Sequence, residues 1–202
     1  MSLEIIDLLR KDYIFVLGYQ LKIFHEKQLG FEDRDFLILV EHFPVYTCGK
    51  STKKEHFKDI NQGEIITIER GGSVTFHGLG QIVIYPIIDI HKRKLSVKRY
   101  IWKLEESMIK TLTEIGIEAF RVEGKRGVFT KKGKIGFVGV RVSKGITMHG
   151  ISLNVDVDKN FFNKIIPCGL DDTPISNVSD FLDNHYFDDI KKLLIKHLQL
   201  EF

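Results

Sequence analysis

Cysteine is nearly absent: Cys48 and Cys168 are the only two in 202 residues. They match neither a C-x-x-C pair nor any zinc-ligand spacing, which excludes a disulfide framework and a structural zinc and points to a reducing, cytoplasmic setting. Long apolar runs are missing too. Nowhere do about 18 uncharged apolar residues follow one another, so no membrane span is expected. The opening "MSLEIIDLLRKDYIFVLGYQ" has acidic residues within its apolar run and lacks the basic start and cleavage site of a secretory signal. The net charge of +3 comes without a long Lys/Arg run, which argues against nucleic acid and suggests an affinity for acidic partners. Repeats, low-complexity tracts and Ser/Pro-rich linkers are also lacking, so residues 1–202 read as one domain.

What is present is the composition of a soluble globular protein, 43% hydrophobic and 28% charged. Ile14, Leu17, Leu21 and Phe24 recur at helical spacing before Gly30, which predicts a helix over 12–29. "FLILVEHF", "EIITIERGG" and "QIVIYPIIDI" read as strands. "SVKRYIWKLEESMIKTLTEIG" predicts a helix capped by Ser96 and stopped at Gly116, with Leu104, Met108 and Leu112 in its core stripe. The segment 120–158 alternates β-branched and polar residues around Lys132-Gly133 and Lys144-Gly145, the pattern of an antiparallel meander. A closing helix carries Asp188 and Asp189 in its first turn, as the helix dipole favours. Together these predict an α+β fold with a mixed or antiparallel sheet packed by helices.

Three places hold residues suited to chemistry. "IIPCGL" sets Cys168 between Pro167, which fixes φ, and Gly169, which permits angles closed to other residues, so a bend that presents the sulfur is expected. The alternative is a small packed thiol. "ERGGSVTFHGLGQ" gathers glycines beside Arg70, Thr75 and His77; it fits either a flexible connection or close backbone approach to an anionic or amide-bearing ligand. It matches neither the Walker nor the dinucleotide pattern. In the third, a two-residue turn at Lys144-Gly145 pairs Ser143 with Ile146 and Gly139 with Gly150. Facing glycines call for another backbone or a ligand against them, which predicts a groove beside Phe137, Val138, Gly139, Gly150, Ile151 and Ser152. Lys134 follows the "KKGK" turn, where a lysine is ordinarily solvated; turned inward beside Cys168 it would favour thiolate and exchange protons with substrates.

Taken together, "EHFPVYTCGK", "RGGSVTFHGLGQIVIYPIIDI", "GVFTKKGKIGFVGVRVSKGITMHGISLNVDVD" and "FFNKIIPCGL" resemble the lipoyl(octanoyl) transferase family in order and spacing. The resemblance implies a fold like that of biotin- and lipoate-protein ligases, with Cys168 and Lys134 as catalytic pair. It also implies acyl-binding segments at Arg70, Gly71, Gly72, Ser73, Val74, Thr75, Phe76 and His77, at Phe137, Val138 and Gly139, and at Gly150, Ile151 and Ser152. The implied reaction moves octanoyl from octanoyl-acyl carrier protein to a lysine of lipoyl domains, those of 2-oxoacid dehydrogenase complexes and of the glycine cleavage H protein. No cofactor or metal is implied, and neither nucleic acid nor membrane is a partner. Members usually carry proline at Leu79, tyrosine at Phe76 and Leu-Gly-Arg at Cys48-Gly49-Lys50. Cys48 reads as packing, His77 and His149 as either polar packing or part of the acyl site, and Lys131, Lys132, Arg141 and Lys144 as a basic face for an acidic carrier. The rival readings are an ATP-dependent lipoate-protein ligase, which would not need Cys168, and a non-catalytic module that binds carrier or lipoyl domains.

Overall fold

The computed structural model of the chain describes residues 3–60, 65–167, 173–184 and 187–202. In chain order it runs β1 (Leu3–Lys11), α1 (Tyr13–Gln28), β2 (Asp35–His42), β3 (Val45–Cys48), β4 (Ile65–Thr67), β5 (Thr75–His77), β6 (Gln81–Ile87), α2 (Val97–Glu114), β7 (Phe120–Val122), β8 (Lys125–Thr130), β9 (Gly133–Ser143), β10 (Ile146–Asn154) and α3 (Phe187–Glu201). Short 3-10 turns at Lys54–His56 and Lys159–Lys164 interrupt the connections.

Among the described residues the strands form a seven-stranded sheet, β1-β2-β6-β10-β9-β8-β7, and a three-stranded sheet, β4-β3-β5. β1 lies parallel to β2 and the remaining neighbours of the large sheet are antiparallel. The sheet is therefore mixed, as expected. β2 and β6 are buried along almost their whole length because helices cover both faces. Leu37, Leu39, Ile82 and Ile84 meet Leu104, Met108, Leu112 and Leu194 on one side. On the other, Ile38, Val40, Val83 and Tyr85 meet Val16, Ile23 and Phe24 of α1. Such double cover explains why these strands read as continuous apolar runs instead of alternating ones.

α2 starts where predicted: the Ser96 hydroxyl accepts the Arg99 amide at 3.2 Å, and the chain leaves the helix at Gly116 with φ of 81°. Each fully buried Leu or Met on its inner face stabilises by about 1.5–3 kcal/mol. α1 differs in phase. Its buried face is Tyr13, Val16, Gln20, Ile23, Phe24 and Lys27, while Ile14 is 60% exposed. The apolar spacing misled because two polar side chains face inward with partners. Lys27 pairs with Asp35 at 2.9 Å, and Gln20 accepts the His149 amide at 3.1 Å. No helix is long and apolar enough to cross a membrane among the described residues.

Candidate active site

The β9–β10 hairpin has the expected register, Ser143 opposite Ile146 and Gly139 opposite Gly150. Lys144 and Gly145 both take positive φ, 51° and 81°, as a tight two-residue turn requires. The space beside the paired glycines is filled from the chain itself. A Cβ on Gly139 would meet Arg70 Cδ at 3.0 Å, and one on Gly150 would meet the Ile84 carbonyl at 2.2 Å. Gly139 lets the glycine loop lie against β9, and Gly150 lets β6 approach β10.

A narrow cavity opens where these elements meet. Its walls are Arg70, Thr75 and His77 from the loop, Phe137, Val138 and Gly139 from β9, and Gly150, Ile151 and Ser152 from β10, completed by Tyr13, Tyr85 and His149. The three acyl-binding segments implied by the resemblance therefore contribute to one space. Of the loop residues, Gly71, Gly72, Ser73, Val74 and Phe76 do not line it. Val74 and Phe76 are core residues, Gly71 donates its amide to Val140 at 2.9 Å, and the Gly72 carbonyl accepts the Ser51 amide at 3.1 Å. These hold the loop in place. Tyr13 and Tyr85 were missed; the one signal for Tyr85 is a phenol within an otherwise aliphatic strand.

The cavity is ordered by a set of neutral histidines. His42 Nδ1 lies 3.0 Å from the Lys11 carbonyl, which can only accept, so its Nε2 accepts from the Tyr85 hydroxyl at 2.8 Å. His77 Nδ1 lies 2.7 Å from Gln81 Oε1, while the Gln81 amide nitrogen donates to Asn154 Oδ1 at 2.8 Å. His77 therefore donates from Nδ1 and leaves Nε2 as an acceptor. Burial pushes His42 down to about 4 and His77 and His149 to about 3, so all three are uncharged at neutral pH. Burial likewise raises the Tyr13 and Tyr85 phenols, which stay protonated.

Three polar atoms on the cavity wall, Thr75 Oγ1, His149 Nδ1 and Ser152 Oγ, are buried without a hydrogen-bond partner among the described residues. Unpaired buried polar groups are costly, and their convergence on one space suits a ligand carrying both apolar and hydrogen-bonding parts. His149 adds strain, with φ of 59°, a conformation unusual for a non-glycine residue. The Arg70 guanidinium is turned to the protein, donating to Thr47 carbonyl and hydroxyl oxygens at 3.0 and 3.1 Å.

Lys134 is not the solvated turn lysine that its neighbours suggested. It is 1% exposed, and its ammonium donates to the Arg126 carbonyl at 2.8 Å with the Phe137 ring centroid 4.8 Å away. No carboxylate pairs with it among the described residues. The backbone of Lys134 is bonded on both sides to the segment after Cys168: its amide donates to Pro174 and its carbonyl accepts the Ser176 amide, at 2.8 and 2.9 Å. Cys168, with Gly169, lies outside the described residues. Pro167, just before it, is buried, and Phe162 of the preceding 3-10 turn stacks on Phe137 at 5.6 Å. Cys48 is buried, its sulfur 3.3 Å from the Thr67 hydroxyl, the packing role expected of it. Among the basic-face residues, Arg141 is engaged with Glu69 at 2.8 Å. Among the described residues no three His, Cys, Asp or Glu side chains converge as a metal site would require.

Comparison with known proteins adds a family. Residues 12–199 match the model of the lipoyl protein ligase A/B catalytic domain. The octanoyltransferase of Persephonella marina is 52% identical over 196 residues, spanning 97% of this chain and 96% of that protein. That of Flavobacterium johnsoniae is 37% identical, with coverage of 98% and 95%. In fold the chain resembles a lipoate-protein ligase A bound with ATP, with a TM-score of 0.79 at 18% identity over 100% of this chain and 85% of that one. A biotin protein ligase from Aquifex aeolicus in complex with biotin and ATP is more distant, with a TM-score of 0.57 at 11% identity, covering 98% and 69%.

Proposed function

The chain belongs to the lipoyl protein ligase A/B catalytic-domain family, and from that premise, with octanoyltransferases as its relatives, we propose that it moves octanoyl from a carrier-protein thioester to a lipoyl-domain lysine through Cys168. It is an acyltransferase of protein lipoylation. Residues 1–202 act as one catalytic unit in the cytoplasm, with the lipoyl domains of 2-oxoacid dehydrogenase complexes and the glycine cleavage H protein as acceptors.

In the first step the Cys168 sulfur attacks the thioester carbonyl of octanoyl-carrier, a C–S bond forms to Cys168, and the carrier sulfur leaves. Lys134 takes the thiol proton and returns it to the departing sulfur. One thioester replaces another, so the exchange is close to isoenergetic and needs no nucleotide. In the second step the neutral amine of the acceptor lysine attacks the acyl-Cys168 carbonyl, a C–N bond replaces the C–S bond, and Lys134 transfers the amine proton to the Cys168 sulfur. The amide product makes this step downhill. Arg70, Gly71, Gly72, Ser73, Val74, Thr75, Phe76 and His77, with the β9 and β10 segments, form the acyl site. The cavity-lining members touch the chain, and Gly71, Gly72, Ser73, Val74 and Phe76 keep the loop in register.

The observation that carries the reading is the seat of Lys134: a fully buried amine without a carboxylate partner among the described residues, in a strand bonded to Pro174 and Ser176. An amine held beside the segment that follows Cys168 supports a part in the proton transfers of the reaction. The test is transfer from octanoyl-carrier to an unmodified lipoyl domain without ATP, followed by the mass of the domain. A gain of one octanoyl group is expected; gain only with ATP and free octanoate would make the chain a ligase.

A further inference from the structure

The glycine loop enters a sheet only at Thr75–His77 and the described run leading into Cys168 belongs to no strand of either sheet, yet the proposed reaction needs the two in fixed register. The short 3-10 turn Lys54–His56 joins them. The carbonyl of His56 accepts the Ile166 amide at 2.8 Å, Phe57 pairs with Ile165, and the Lys58 amide donates to the Lys164 carbonyl at 2.9 Å. This places the backbone after His56 alongside the residues that run into Pro167 and Cys168.

The ring of His56 reaches the other way. Its Nδ1 lies 2.5 Å from the Ser73 hydroxyl and 3.2 Å from the Lys53 amide. An amide can only donate, so Nδ1 presents its lone pair, Ser73 donates to it, and the ring proton sits on Nε2. Ser73 is 4% exposed, within the Arg70-to-His77 loop. One residue thus holds the loop by its side chain and the Cys168 run by its backbone.

We propose that His56 is a positioning residue that sets the Cys168 run against the acyl-binding loop. This rests on the reading of Cys168 as nucleophile. His56 does not line the cavity, so its loss is expected to disturb the alignment of thiol and carbonyl more than acyl binding. A misplacement of about 1 Å costs on the order of 100-fold in rate.

The experiment is single-turnover acylation of Cys168 by octanoyl-carrier, read by intact mass, across a range of donor concentrations. His56→Ala is expected to lower the limiting rate by about 10- to 100-fold, with half-saturation and thermal midpoint close to the wild type. His56→Asn, whose Oδ1 falls near the place of Nδ1, restores the rate to within about threefold of the wild type, whereas His56→Gln, whose acceptor falls near Nε2, does not. Ser73→Ala lowers the rate as His56→Ala does, and the double variant is no slower than either, because all three lose the same bond. Wild-type acylation in His56→Ala, equal rates for Asn and Gln, or multiplicative losses in the double variant would each overturn the inference while leaving Cys168 as nucleophile. No adduct on the wild type would overturn both.

Discussion

Gly127 and Lys134 share one space. A Cβ on Gly127 would stand 2.8 Å from Lys134 Cε and 2.4 Å from the Gly136 carbonyl, and the φ of Gly127 is 109°, so the lysine reaches its buried position because residue 127 has no side chain. The Gly127 amide is itself fixed by Glu105 of α2, at 2.8 Å. Gly127→Ala is expected to lose about 1–3 kcal/mol of stability from backbone strain and to slow acyl transfer at least tenfold by displacing Lys134. Gly124→Ala is the control, since Gly124 has φ of 73° with open space around it. It should lose less stability, since only its left-handed φ is strained, and keep its transfer rate; equal rates in the two variants would separate Lys134 from the reaction.

Lys134→Met removes the amine and keeps the aliphatic volume. Loss of proton transfer is expected to slow acylation of Cys168 by about 10²- to 10⁴-fold, with circular dichroism unchanged. Single-turnover kinetics at saturating donor measures this directly, and an unaltered rate would reject the pair.

Stability should fall on acidification before the carboxylates titrate. His42, His77 and His149 have folded pKa values near 4, 3 and 3, against 6.5 when unfolded. Between about pH 6.5 and 4 the unfolded chain therefore binds protons that the folded chain excludes. Stability rises with pH through that window, by roughly 1.4 kcal/mol per unit for each histidine, and levels off above about pH 7. Urea midpoints at pH 7, 6 and 5 should decline steadily; a flat profile would mean that these rings are charged or solvated in the folded state.

Gly150→Ala is expected to be far more damaging than Gly116→Ala. The first drives a methyl to within 2.2 Å of the Ile84 carbonyl, while at the second nothing lies within 4 Å and only the left-handed φ of 81° is strained. Thermal denaturation of the two variants compares them, and equal midpoints would refute the close approach of β6 to β10.

Local rules made much of this fold legible. α2 announces itself through Ser96, Gly116 and a clean stripe, and the β9–β10 hairpin through Lys144-Gly145, whose register brought Gly139 and Gly150 together correctly. β1 escaped because its burial does not alternate cleanly; it is held by parallel pairing to β2, a non-local contact. Lys134 looked solvated because its seat is built by Gly127, Phe137 and Pro174, and only Phe137 is near it along the strand. The polar inward face of α1 depends on Asp35 and His149, which no spacing within the helix reveals. The family resemblance supplied the residue roles that periodicity did not, and the match over residues 12–199 supports the family.

The most direct test of the account is intact mass spectrometry of the protein mixed with octanoyl-carrier protein without ATP, beside a Cys168→Ser variant. A hydroxylamine-labile octanoyl adduct on the wild type, absent from the variant and passed on when a lipoyl domain is added, is the predicted result. Transfer to the lipoyl domain by the Cys168→Ser variant at the wild-type rate would contradict it.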